Sequence, residues 1–412
     1  MKKESRARGC SVDLHQGSSM IGNNCSVRSV LACLIATLFS LTVMPAAIAA
    51  DSAKGTIVQL DKAALHRHLK ALGYTRRGGV ERDKTESEDE EHFRSLPHFS
   101  SSFAYRGVTY PFTMLGHPPE SGRRSTLRSV IVPLRMHFVG FGANPVDFDP
   151  MAAVTNIVNS PLFEEAQFPN GVGQFGDMMQ RATFWNKMDP ARRWHVRMGE
   201  PRVLDPVEIE VTPGVGGTLF QIGSEYVGDV PIDFIDSQAK TIMQLTGIDP
   251  DEVPIFVTGN VTAQALGYHD AFPLSNEDGT VTLQTFIFTS WFDLATVGPL
   301  LADVSTINHE LGEWLNDPFV NNVVPVWMYP PASDPNTACS GNNLLEVGDP
   351  QGNGPTYADF PTVVIPLNGY AYHLQDLVML PWFAGEKPSS AENGWYDFPA
   401  TTQIHTPAVV CP

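Results

Sequence analysis

The sequence has few cysteines, a deficit of basic residues and no long apolar run beyond its first fifty residues. The 412 residues include five cysteines, and 27 lysines and arginines stand against 45 aspartates and glutamates. The resulting net charge of −18 disfavours nucleic acid and anionic membrane surfaces as partners. Nothing after residue 50 approaches the roughly twenty apolar residues that cross a bilayer, so no transmembrane segment is expected.

Several common catalytic motifs are also missing from the sequence. It contains no Gly-x-Ser-x-Gly elbow, no Cys-x-x-Cys pair and no phosphate-binding loop in a convincing setting. The glycine cluster at 214–217 follows Pro213 and lacks the Lys-Ser/Thr of a phosphate loop, which favours a turn. Acyl-enzyme and nucleotide chemistry are therefore not expected.

The N-terminus has the pattern of an export signal. Arg28 precedes an apolar run at 30–43 that is too short to span a bilayer, and small residues follow at 45–51. We therefore assign residues 1–50 to a signal peptide with an N-terminal extension. The mature protein is expected to be secreted or periplasmic.

Only two cysteines remain after that leader. Cys10, Cys25 and Cys33 belong to it, whereas Cys339 and Cys411 stay in a compartment that permits disulfides. We predict a bond between Cys339 and Cys411. The alternative is a pair of independent buried thiols.

The rest of the chain divides by composition into two parts. Residues 51–96 contain one short helix at 62–72 and then an acidic run, which is typical of a linker or propeptide. Residues 97–412 mix strand and helix patterns and predict one α+β domain. Predicted strands lie at 103–114, 129–141, 206–212, 253–257 and 281–291, and predicted helices at 149–158, 175–188 and 236–245.

The segment NHELGEWLNDP at 308–318 is the strongest chemical signal. Asp303 or Ser305 is the predicted N-cap of a helix that ends at Asp317-Pro318, because the residue before proline avoids helical geometry. At about 100° per residue, His309 and the glutamates at 310 and 313 share one polar arc of this helix. Its leucines and tryptophan occupy the opposite, core-facing side.

This arc has the spacing of a metal-binding helix. In HExxH sites the two histidines bind one zinc ion, and the intervening glutamate serves as the general base. Here His309 and Glu313 hold the ligand positions, and Glu310 holds that of the base. The third ligand must come from elsewhere, and Glu346 or Asp349 in the downstream segment LLEVGDP can supply it.

The order HExxExxxDP, then Trp327, then E-x-G-D at 346–349, resembles secreted bacterial HExxE zincin-like proteins. It is also similar to the plant phosphate-induced, or exordium-like, family. The similarity covers about residues 253–350 and includes Gly267-Tyr268-His269. It departs from the plant pattern at two places. Cys339 precedes the E-x-G-D, whereas the plant cysteine follows the acidic segment, and Trp314 is bulky where the plant residue is usually small. The resemblance implies a zincin-like fold, with a mixed twisted sheet and an active-site helix.

The ligand types leave several alternatives open. Zinc is the predicted ion, while an oxygen-rich set also suits calcium or manganese. His269 is interpreted as a structural histidine, with a ligand role as the alternative, and His373 as a core or rim histidine. Asp317 is interpreted as a helix-end cap.

These features lead to two functional hypotheses. The first is a secreted zinc-dependent peptidase that acts on a peptide or protein substrate, with the strand end at 291–292 lining its cleft. The second is a non-enzymatic extracellular protein in which the metal stabilises the fold or binds a partner. The sequence does not determine the oligomeric state.

Overall fold

Four of the five strands predicted from the sequence, at 129–141, 206–212, 253–257 and 281–291, lie in one mixed sheet. The computed structural model describes residues 55–72, 96–275, 281–299, 301–329, 339–352 and 361–411. Together with the helices, this sheet gives the α+β architecture that the sequence predicts, so the fold class is confirmed at that level.

The described residues contain helices of four to fifteen residues and many short strands. The helices are α1 Lys62–Leu72, α2 Met151–Val158, α3 Phe175–Thr183, α4 Ile232–Thr246, α5 Leu294–Val297, α6 Ser305–Asn316, α7 Asp349–Gly352 and α8 Leu380–Phe383. The strands are β1 Thr56–Gln59, β2 His98–Tyr105, β3 Val108–Leu115, β4 Arg124–Phe138, β5 Val146–Phe148, β6 Ala166–Phe168, β7 Gly171–Gly173, β8 His195–Met198, β9 Arg202–Val203, β10 Val207–Val211, β11 Thr218–Ile222, β12 Glu225–Asp229, β13 Glu252–Gly259, β14 Val261–Thr262, β15 Gly267–Ser275, β16 Val281–Trp291, β17 Thr362–Leu367, β18 Tyr370–Gln375, β19 Leu377–Val378 and β20 Asp397–Phe398.

The central sheet has the strand order β10-β4-β13-β16-β15. Its first four strands are mutually parallel, and β15 runs antiparallel to β16. Strand β4 is the longest, and β5, β8 and β9 also pair with it. The antiparallel β15 is next to β16, and this places the Gly-Tyr-His segment beside the strand on which α6 packs.

Alternation along the central strands separates the core into two layers. One face carries Ile255 and Ile287, which pack in the same cluster as Leu311 and Trp314 of α6. The other face carries phenylalanines such as Phe256, in a second cluster with the apolar side of α4. Buried on both faces, the strands read as near-continuous apolar runs in the sequence, as parallel strands commonly do.

Helix α6 is attached to β16 by polar as well as apolar contacts. The indole nitrogen of Trp314 donates a hydrogen bond to Thr285 Oγ1 at 3.0 Å. One end of the helix is fixed by Thr306, whose hydroxyl lies 2.9 Å from that of Thr289. All twelve helical residues are buried, so the polar arc faces the protein interior.

The predicted N-cap of α6 is wrong, whereas the predicted helix end is confirmed. Val304 occupies the N-cap position, and no side chain caps the helix. The Asp303 carboxylate contacts His373 instead. One oxygen accepts the backbone N–H of His373 at 2.9 Å, and the other lies 2.6 Å from His373 Nδ1. At the other end, the Asp317 carboxylate accepts the backbone N–H groups of Asn321 and Asn322 at 2.9 and 3.0 Å.

Two other predicted elements differ from the structure. The predicted strand at 103–114 is a hairpin of β2 and β3, because Arg106 and Gly107 have φ values of 50° and 83°. Positive φ at both central residues is the requirement of a tight hairpin turn. The predicted helix at 175–188 ends earlier, at Thr183, with Phe184 as its C-cap.

The first described residues pack onto a second, four-stranded sheet of order β1-β11-β12-β14. Strand β1 pairs in parallel with β11, and α1 buries Leu65 and Leu69 in the same cluster as Phe220. Residues 73–95 and the predicted signal peptide at 1–50 lie outside the described residues. The assignment of 51–96 to a linker or propeptide stays a prediction.

The predicted disulfide is confirmed. Cys339 and Cys411 are bonded, with their Cα atoms 5.7 Å apart and a sequence separation of 72. Such a bond indicates an oxidising compartment, in agreement with export. Among the described helices, none has the length and apolar character needed to traverse a bilayer.

We expect loss of this disulfide to destabilise the protein substantially. Closing a loop of 72 residues reduces the entropy of the unfolded chain by an amount equivalent to about 4 kcal/mol. The Cys339→Ser, Cys411→Ser double variant should therefore unfold at a lower denaturant midpoint than the oxidised protein. Chemical denaturation with and without reductant measures this, and an unchanged midpoint would contradict it.

Candidate metal site

Six ionisable side chains from three separate parts of the chain converge beside α6. The helix supplies three of them, strand β15 supplies one, and residues 346–349, which end at the first residue of α7, supply two. Five of the six have 3% or less of their surface exposed. The six residues are His269, His309, Glu310, Glu313, Glu346 and Asp349.

The first group consists of His309, Glu313 and Asp349, whose donor atoms lie within 4.8 Å of one another. His309 Nε2 is 3.1 Å from Glu313 Oε1 and 3.8 Å from Asp349 Oδ1. Tetrahedral ligands at about 2.1 Å from a zinc ion are roughly 3.4 Å apart, so these separations fit one shared cation.

The tautomer of His309 is fixed by Gln375. The Gln375 amide nitrogen donates to the Gly348 carbonyl at 2.8 Å, which directs its oxygen to His309 Nδ1 at 3.0 Å. Nδ1 therefore donates its proton, and in the neutral imidazole Nε2 carries the lone pair that faces the two carboxylates. Metal-ligating histidines are usually oriented by such a hydrogen bond from the other ring nitrogen.

Two glycines make room for the polar arc of α6. A Cβ at Gly348 would lie 2.4 Å from His309 Nδ1, and one at Gly267 would lie 2.8 Å from Glu310 Oε1. The Gly348 N–H also donates to Glu313 Oε1 at 3.1 Å. The segments that flank α6 therefore approach its ligating face at backbone distance.

The second group consists of His269, Glu310 and Glu313. His269 Nδ1 is 3.4 Å from Glu310 Oε2 and 3.8 Å from Glu313 Oε2. The other ring nitrogen, Nε2, donates to the backbone carbonyl of Asp317 at 3.1 Å. The two groups share Glu313, and each contains a different oxygen of its carboxylate.

Glu346 lies on the opposite side of His269 from the second group. Its Oε2 is 3.9 Å from His269 Nε2, a distance too long for a hydrogen bond. Within the described part of the chain, neither of its side-chain oxygens has a hydrogen-bond partner. The structure therefore separates the two downstream acids, because Asp349 approaches His309 and Glu346 approaches His269.

Burial and mutual repulsion strongly perturb the carboxyl groups. Burial, followed by the charge of Glu313, raises the pKa values of Glu310 and Glu346 well above their usual range. Burial also opposes ionisation of Glu313, but the charge and the hydrogen bond of His309 in its protonated form outweigh burial and lower the pKa of Glu313. Burial lowers the pKa of His269 and favours its neutral form.

A divalent cation would relieve this electrostatic cost. A buried carboxylate without a partner costs several kcal/mol, unless a proton or another positive charge compensates it. Imidazole and carboxylate donors suit zinc, and an oxygen-rich shell also suits manganese or calcium. The cluster thus has the donors, the separations and the negative charge that a metal ion needs.

The site is nearly closed to solvent in the described residues. Asp349 is its most accessible member, with 15% of its side-chain surface exposed. A cavity of about 500 Å³ lies elsewhere, and Trp291 and Tyr370 contribute to its lining. None of the six cluster residues lines that cavity, so the expected cleft at the Trp291 strand end is not next to them.

Two residues of the site were not assigned to it from the sequence. His269 is interpreted from the sequence as structural, with a ligand role as the alternative, and it faces Glu310 at a sequence separation of 41. Gln375 lies 66 residues from His309 and carries no motif of its own. His373 agrees with the structural interpretation, because it is buried and paired with Asp303.

No protein-family model, curated protein or solved structure matches this chain. The fold and the site together define an α+β protein with buried His/Glu groups that could hold a metal ion.

We expect Gln375→Leu to weaken metal binding without removing a ligand. The leucine has no acceptor for His309 Nδ1–H, so the ring loses its fixed tautomer and orientation. Loss of such a partner typically costs about 10- to 100-fold in metal affinity. Competition with a chromogenic chelator measures the affinity, and an unaltered value would show that Gln375 does not orient the ligand.

Proposed function

We propose that this protein is an exported metal-dependent hydrolase, related in design to the zincin-like HExxE peptidases. The observation that supports this most is the convergence of His309, Glu313 and Asp349, whose donor atoms lie within 4.8 Å of one another. Two of these residues come from the HE helix, and the third comes from the downstream E-x-G-D. This is the arrangement expected from the resemblance.

In this proposal Asp349 is the third ligand. It is the downstream acid that faces His309 Nε2, at 3.8 Å, whereas Glu346 faces His269. Asn342 Nδ2 donates to the other Asp349 oxygen at 3.1 Å and orients the carboxylate. The partial exposure of Asp349 gives the cation a route to the site.

Glu310 is the proposed general base. A zinc ion at the first group would supply Lewis acidity and polarise a substrate carbonyl. The pKa of Glu310 is raised, mainly by burial, which makes its carboxylate a stronger base for taking a proton from water. Its Oε1 has no hydrogen-bond partner among the described residues and is available as an acceptor.

The substrate in this proposal is a peptide or protein. It is the class on which zincin-like peptidases, which this sequence resembles, act. The net charge of −18 makes nucleic acid a poor alternative.

Burial favours a second candidate function, in which the cation stabilises the fold. His309 and Glu310 are exposed by 0% and 1%, and the described cavity of about 500 Å³ is lined by other residues. Structural metal sites are typically closed, whereas catalytic ones keep an open position. In this case the cation would lock α6 to the start of α7, and no hydrolysis would follow.

A pair of isosteric variants tests the ligand assignment. Asp349→Asn should reduce the affinity for the first cation by more than about 100-fold. That loss exceeds the usual effect of removing a residue that only orients a metal ligand. Glu346→Gln is the matched control and should retain that cation. Competition with a chromogenic chelator measures the affinity of both variants for the first cation, and a loss of affinity confined to Glu346→Gln would reverse the assignment.

Glu310→Gln separates the two candidate functions. The amide preserves the shape of the side chain but cannot take a proton, so hydrolysis of a peptide library should fall by about 10²- to 10⁴-fold. The first cation should remain bound. A wild-type protein that holds metal but cleaves nothing in the library would favour the structural role.

A further inference from the structure

Glu313 stands between two sets of donors. Its Oε1 is 3.1 Å from His309 Nε2, and its Oε2 is 3.8 Å from His269 Nδ1. A carboxylate that presents its two oxygens to two separate groups has the geometry of a bridge between cations. The first group accounts for only one of these oxygens.

The orientation of His269 shows that positive charge is needed in the second group. Its Nε2 donates to a backbone carbonyl, so a neutral ring has its lone pair on Nδ1. That lone pair faces Glu310 Oε2 at 3.4 Å and Glu313 Oε2 at 3.8 Å. Three acceptor atoms directed at one another repel, unless a cation or a proton lies between them.

Orphaned carboxylate oxygens provide an independent indication. Glu310 and Glu346 are exposed by only 1% and 2%. Glu310 Oε1 and both Glu346 oxygens have no hydrogen-bond partner within the described residues. Buried polar atoms are satisfied in the great majority of cases, so such a concentration of unpartnered carboxylate oxygens at one place favours a positive ligand there.

We propose a second cation site, formed by His269 Nδ1, Glu310 and Glu313 Oε2, which shares Glu313 with the first site. The separations of 3.4 and 3.8 Å match the roughly 3.4 Å expected between neighbouring ligands of one zinc-sized ion. The inference rests on the proposed function, because Glu313 is common to both sites. Glu346 would not bind this ion directly, because its Oε2 lies 3.9 Å from Nε2, the other nitrogen of the His269 ring.

The second cation would regulate the first site. An ion bound by Glu310 engages the carboxylate that the proposed hydrolysis uses as its base. The two roles of Glu310 exclude each other, so the protein with one cation is the active form and the protein with two is inhibited. Local concentration of the metal would then set the activity after export.

Metal stoichiometry and magnetic coupling test this directly. The wild-type protein, stripped with chelator and reloaded with Mn²⁺, should bind two ions per chain. Carboxylate-bridged ions lie about 3.5 to 4 Å apart, so their electron paramagnetic resonance spectrum should show exchange coupling. His269→Gln should bind one ion and give the spectrum of isolated Mn²⁺.

Three further variants make the result decisive. Glu310→Gln, which preserves the shape of the side chain better than His269→Gln does, should also bind one ion. Asp349→Asn should keep only the ion of the second site. His373→Gln removes a buried histidine outside the cluster and should still bind two coupled ions. Circular dichroism and thermal unfolding confirm that each variant is folded.

The possible failures are distinguishable. One ion in the wild type, lost in Asp349→Asn and unaffected by His269→Gln, would overturn the second site and leave the proposed function intact. No bound ion in the wild type would overturn both. Two ions without coupling, neither of them lost in His269→Gln, would also exclude the bridged centre.

Discussion

The buried carboxylate of Glu313 is the interaction on which the rest of the site depends. It lies on the polar arc of α6 and contacts His309, a backbone N–H of the downstream segment and the side of His269. Its charge in turn raises the pKa values of the two neighbouring glutamates, which burial has already shifted upward. An acidic interior of this kind is stable when protons or metal ions compensate it, and the donor separations could accommodate a metal ion.

The fold supplies the precision that this chemistry requires. Strand β15 runs antiparallel to β16 and presents His269 to the helix, while the polar and apolar contacts of Trp314 and Thr306 fix α6 on the same strand. Glycines at 267 and 348 let the flanking backbone approach the ligating face. The Cys339–Cys411 bond connects the residues before the downstream acids to the end of the chain.

Local patterns in the sequence predicted the parts of the site that lie close together in the chain. The helical period placed His309, Glu310 and Glu313 on one arc, and the small number of cysteines left after the leader indicated the disulfide. Contacts between distant residues, such as His269 with Glu310 and Gln375 with His309, carry no periodic signal. The same limit explains the incorrect N-cap, since Asp303 binds His373, 70 residues away, instead of the helix. The tight turn at Arg106-Gly107 was missed because the apolar pattern continues across it.

Anomalous diffraction from crystals of the zinc-loaded protein, recorded on both sides of the zinc absorption edge, tests the central claim most directly. The account predicts an anomalous peak within about 2.0 to 2.2 Å of His309 Nε2 and of oxygens from Glu313 and Asp349. A map without a peak at these atoms, with Glu310 and Glu346 instead satisfied by hydrogen bonds as neutral acids, would contradict it.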